Sequence, residues 1–128
     1  MAVQSAKQLK VYSKSYHLAM SIFEISKCFP AEERYALTSQ IRRSSRSVCM
    51  NLREAWAKRR YLAHFSSKLT DCDGENGETD TSLDFAKDCG YIAEKLHSDL
   101  TCQTLEIGKM LGSMILHPEP FLFVSSDS

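Results

Sequence analysis

Four arginines at helical spacing, Arg42, Arg46, Arg53 and Arg60, are the side chains of this sequence best suited to contact phosphate. Guanidinium groups take phosphate oxygens two at a time, and such contacts hold a nucleic-acid backbone without reading its sequence. Lys58 and Arg59 extend the cluster, and Trp56 and Tyr61 lie close enough in sequence to stack beside it. A second row, Gln40, Arg43, Ser47, Asn51 and Glu54, is wholly polar. It reads either as a hydrogen-bond network that sets register, within a bundle or between subunits, or as a ligand-binding face. Other patterns carry less chemistry. Asp71, Asp73 and Glu75 occupy positions 1, 3 and 5 of a calcium-type loop, but Asn76 and Ser82 stand where that loop needs glycine and a bidentate glutamate. Glu94 and His97 form one E-x-x-H, whereas a di-iron bundle needs two copies and further glutamates. No catalytic residue, metal site or cofactor is expected.

A helix must position both rows. Read at about 100° per residue, Leu37, Ile41, Ser44, Val48, Leu52 and Ala55 form one narrow, mostly apolar stripe between Glu32 and Lys58. The polar row runs along one flank of that stripe, and the arginine row lies roughly opposite it. Val11, Ser15, Leu18, Ile22 and Ile25 keep the helical period in an earlier segment that Pro30 ends. Ala31, Glu32 and Glu33 would open the second helix with acids at its positive dipole end. Asp71 to Gly77 resembles a loop by composition. Yet Phe65, Leu69, Cys72, Asn76, Thr79, Leu83 and Ala86 hold an unbroken 4-3-4-3-4-3 spacing through it, so a helix with a polar middle is expected. Cys89 and Gly90 close that helix, and Ile92 to Leu116 forms the last one, stopped by Pro118 and Pro120.

The expectation is therefore an all-α, antiparallel, up-down-up-down four-helix bundle filling one domain over 1–128. Its helices are placed at about 7–28, 31–58, 61–88 and 92–116, followed by an apolar tail over 117–128. The net charge of zero conceals an asymmetry: nine Arg or Lys and one acid from Arg34 to Lys68, then nine acids and two lysines from Asp71 to Asp99. Such blocks can bind outside partners, or pair with each other within the bundle or between subunits. Five widely spaced cysteines without a CxxC pair read as buried thiols of a reducing, cytoplasmic compartment. No apolar run is long enough for a membrane span, and the first ten residues do not resemble a signal peptide.

Phe29, Pro30, Glu33, Leu37, Thr38, Gln40, Ile41, Arg42, Arg43, Ser47, Asn51 and Glu54 match the signature of the bundle proteins encoded in intervening sequences of 23S ribosomal RNA genes. The likeness continues at Leu9 to Tyr12, Cys89 to Ile92 and Ile107 to Leu111, so the sequence resembles that family over nearly all of 7–116. Where the family often has proline, this chain has Cys49, and it has arginine where small residues are usual at 46 and 53. The resemblance implies a four-helix bundle assembled as a homo-oligomer, a pentamer being favoured. Related bundles, the accessory variability determinants of diversity-generating retroelements, imply partners of two kinds, RNA or DNA and a protein. A non-enzymatic nucleic-acid adaptor is thus one expectation. A structural or protein-interaction module, with basic and acidic faces paired between subunits, is the other.

Overall fold

The computed structural model describes residues 3–123 of the chain; residues 1–2 and 124–128, including the end of the expected apolar tail, lie outside them. Four α-helices dominate: α1 Lys10–Ser26, α2 Leu37–Ala57, α3 Leu62–Asp88 and α4 Glu94–Leu116. Neighbours run antiparallel, as side chains that meet across them show. Arg42 reaches Ser26 while Cys49 reaches Tyr12, which sets α1 against α2. Cys72 donates to the Val48 carbonyl and Thr79 meets Ser44, which sets α2 against α3. Asn76 meets Thr104 and Asp84 meets His97, which sets α3 against α4. Lys14 pairs with Glu106, closing α4 onto α1. The result is the up-down-up-down bundle.

The core is the set of apolar stripes. Ile22, Ile41, Leu52, Phe65, Leu69, Leu83, Ile107 and Leu111 are all fully buried. Each such side chain contributes about 1.5–3 kcal/mol on leaving water. All seven seam residues of α3 are buried, including the polar pair Asn76 and Thr79. That pair costs little because both are bonded across the bundle: Asn76 Nδ2 donates to the Thr104 carbonyl at 2.9 Å, and Thr79 shares a 2.8 Å hydrogen bond with Ser44. Gly74 and Gly77 sit within the continuous α3. Gly90 has φ +81° and ends α3: its N–H donates to the Lys87 carbonyl, and that of Tyr91 to the Ala86 carbonyl, which is the Schellman arrangement.

Helix ends depart from the sequence expectation in three places. Residues Ala6–Gln8 form a separate 3₁₀ turn before α1. Ala31–Glu33 is likewise a 3₁₀ turn, and α2 begins only at Leu37. Glu33 is diverted from the first turn of α2 to bridge it: one carboxylate oxygen accepts from the Leu37 N–H at 3.2 Å, the other from the Tyr91 hydroxyl at 2.8 Å. That bond pushes the Tyr91 phenol up to about 12. At its other end α2 stops at Ala57, so Arg60 lies in the turn beyond it, out of line with the arginine row. Tail residues Glu119–Phe121 form a last 3₁₀ turn, with the Phe121 ring 6.5 Å from that of Phe65. The tail up to residue 123 therefore docks on its own bundle.

Candidate nucleic-acid interface

The two polar rows of α2 meet different neighbours. Arg43 faces α3 and is held between Glu75 at 2.8 Å and Glu78 at 2.7 Å. These bonds, that to Glu75 foremost, raise the guanidinium above its ordinary pKa. Glu54 pairs with Lys68 at 2.8 Å, and Lys68 approaches Asp71 at 3.6 Å. The hydrogen bond from Lys68 holds the Glu54 carboxyl below its usual range. Asn51 donates to the Ser47 carbonyl, and Gln40 lines a groove further along. So the polar row and the acidic flank of α3 form a ladder within one chain. Exposed pairs of this kind add at most about 1 kcal/mol each, so their effect is on helix pairing more than on total stability.

The arginine row is not a uniform face opposite the core. Arg42 is half-buried against α1, where Nε donates to Ser26 Oγ at 2.7 Å and the guanidinium lies 4.9 Å from the centre of the Phe23 ring. Arg46 rests more loosely on the same ring at 5.7 Å and is exposed. Arg53 is exposed as well. Met20 of α1 and Met50 of α2 are exposed.

The remaining cations gather at the turn between α2 and α3. Arg59 stacks on Trp56 at 4.0 Å and donates to the Trp56 carbonyl at 2.9 Å. Its own carbonyl accepts the Phe123 N–H at 3.2 Å. The Phe123 ring in turn lies 4.8 Å beneath the Arg60 guanidinium. Tyr61 projects from the turn, 61% exposed, with the His64 ring 5.7 Å away. Lys58 is exposed beside them. The sequence reading placed Lys58, Arg59 and Arg60 here with Trp56 and Tyr61, but missed His64 and Phe123. The Trp56–Arg59 spacing of three was the visible signal, since residues i and i+3 share a helix face.

Other sequence candidates resolve differently. The Asp71–Ser82 segment is helical, so its acids are spread around a helix instead of converging on a loop. His97 of the E-x-x-H bonds Asp84 at 2.7 Å. Cys49 and Cys72 are buried, but Cys28, Cys89 and Cys102 are exposed, contrary to the expectation of buried thiols throughout. These three lie near helix ends or on outer faces, where no seam covers them. A shallow groove of about 670 Å³ that the sequence did not signal lies between the start of α2 and the later half of α3. Its walls include Tyr35 and Phe85, 87% and 60% exposed. No helix among the described residues is long and apolar enough to cross a membrane.

A family model described as 23S rRNA-intervening sequence protein matches residues 7–113. Among solved structures, the chain is similar to a Bacteroides thetaiotaomicron protein described as having unknown function and as coming from the S23 ribosomal protein family. The two are 30% identical with a TM-score of 0.75, over 83% of this chain and 95% of that one. No curated protein matches the sequence.

Proposed function

We propose that this chain, which belongs to the 23S rRNA-intervening sequence protein family, is a non-enzymatic oligomeric adaptor that binds RNA or DNA through basic side chains of α2 and the turn after it. One observation carries the reading: the ion pairs are distributed unequally. Arg43 and Lys68 are taken up by Glu75, Glu78, Glu54 and Asp71. Arg46, Arg53, Lys58 and Arg60 are exposed and have no carboxylate partner among the described residues. Free cations can reach phosphate without breaking an ion pair, whereas paired ones must first give up a partner.

The oligomer is proposed as a pentameric ring, the assembly that the family resemblance implies. A ring would repeat the same cationic set around an axis, so several weak contacts would add on one long ligand. The test is a titration of the assembled protein, its mass in solution measured, against structured ribosomal RNA and duplex DNA at several salt concentrations. Affinity should fall linearly with log salt, with a slope near −0.9 per phosphate neutralised on a duplex. Charge reversal at Arg46 and Arg53 should weaken binding of both ligands and leave the helical content intact. An intact ring that binds neither ligand at low salt overturns the proposal.

The groove walled by Tyr35 and Phe85 favours a second reading, a structural or protein-interaction module. On that reading the exposed acids of α3, Asp73 and Asp88 among them, pair with the free arginines of a neighbouring subunit. Such an oligomer would dissociate as salt screens its exposed pairs; an oligomer indifferent to salt counts against it.

A further inference from the structure

The geometry points to a ligand class within that nucleic-acid reading, on which this inference rests: the turn between α2 and α3 takes unpaired nucleotides, stacking a base on Tyr61 and holding its phosphates with Lys58 and Arg60. Three features of the turn converge on this. Its two arginines are preorganised. An arginine side chain carries about 2 kcal/mol of rotamer entropy, and here the Arg59 guanidinium is stacked on Trp56 at 4.0 Å while Arg60 lies over Phe123 at 4.8 Å. That entropy is surrendered on folding, so less remains to be lost on binding. Secondly, the Tyr61 ring is 61% exposed at the tip of the turn, where no core contact requires an aromatic residue. His64, one turn into α3, sits 5.7 Å from it and widens the flat surface. Finally, the cations here lack acid partners among the described residues, unlike the neighbouring Lys68, which is bonded to Glu54.

A duplex hides its base faces inside the helical stack, so an exposed ring beside free cations gains nothing from duplex beyond phosphate contact. An unpaired base offers its face, and stacking on an aromatic side chain tolerates any base. Arg46 and Arg53, which have no exposed ring of this kind beside them among the described residues, would supply only the sequence- and strand-independent part of the affinity.

The experiment is a fluorescence-anisotropy titration of the full chain at low salt with labelled oligouridylate, whose bases stack poorly on one another, and with a blunt RNA duplex of equal length. The deoxythymidine oligomer, run in parallel, tells RNA from DNA; tight binding of either single strand supports the inference. The unmodified protein should prefer the single strand. Tyr61→Ala should weaken the single-strand complex five-fold or more, since one stacked base is worth about 1–3 kcal/mol, and should leave duplex binding unchanged. Tyr61→Phe, which keeps the ring, should bind as the parent does. Arg46→Ala should weaken both complexes alike. Equal or tighter binding of duplex, or a Tyr61→Ala variant that binds single strands as the parent does, overturns the stacking inference and leaves phosphate binding standing. Failure of both ligands to bind overturns the underlying reading as well.

Discussion

Replacing Arg42 by alanine should destabilise the bundle, whereas the same change at Arg46 should not. Both residues lie on one flank of α2 and both face Phe23 of α1, so the contrast isolates what burial and hydrogen bonding add. Arg42 loses a 2.7 Å charge-assisted hydrogen bond to Ser26, a longer 3.5 Å contact with the Phe23 carbonyl, and a guanidinium–ring contact at 4.9 Å. A hydrogen bond to a charged group is worth about 1.5–3 kcal/mol, and the ring contact about 0.5–1 kcal/mol. Two corrections reduce the sum. The site is only half-buried, and Ser26 Oγ keeps a partner because it donates to the Phe23 carbonyl at 3.0 Å. A net loss of about 2 kcal/mol remains. With a urea m-value of about 2 kcal/mol/M for a domain of this size, the midpoint should fall by about 1 M. Arg46 has only the ring contact at 5.7 Å, so its removal should cost no more than about 0.5 kcal/mol. The assay is urea unfolding followed by far-UV circular dichroism, at one fixed protein concentration because the proposed assembly would add to apparent stability. Equal midpoints for the two variants would refute the assignment of Arg42 to the α1–α2 contact and return it to the pool of free cations.

Two further outcomes follow from the helix ends and the core. Gly74→Ala and Gly77→Ala should each raise stability by about 0.5–1 kcal/mol, because both sites are helical and an added Cβ meets nothing within 4 Å. Gly90→Ala should lower it by about 1 kcal/mol because its φ of +81° disfavours a side chain; thermal unfolding of the three variants checks both signs, and destabilisation at 74 or 77 would argue against a continuous α3. A chromogenic thiol reagent should titrate Cys28, Cys89 and Cys102 rapidly and reach Cys49 and Cys72 only with denaturant. Burial closes off the latter two and pushes their thiols up to about 11 and about 12, which leaves about one molecule in ten thousand or fewer as thiolate near neutral pH. Five thiols reacting at one rate would contradict the packing.

Much of this bundle was legible in the order of its residues. The 4-3 spacing from Phe65 to Ala86 carried α3 through two glycines that composition alone would assign to a loop. It could do so because burial of one face outweighs the roughly 1 kcal/mol that each helical glycine costs. Gly90 marked the end of α3 for an equally local reason, the left-handed backbone that closes a helix. The start of α2 was less legible. A proline and two acids at 30–33 look like a helix opening, but Glu33 is engaged by Tyr91, which is remote in sequence, and the helix waits until Leu37.

The fate of the charges depended on the tertiary structure. Arg42 and Arg43 are adjacent in the chain and alike in chemistry, but a helix turns by about 100° between them. Because α2 is packed between α1 and α3, one arginine turns toward Ser26 and Phe23 and the other toward Glu75 and Glu78. Periodicity determined that α2 has a buried stripe and two polar flanks. Which side chains spend their charge inside the molecule and which leave it exposed was decided by the neighbours those flanks meet, since an ion pair needs its partner within a few ångströms and sequence distance does not measure that.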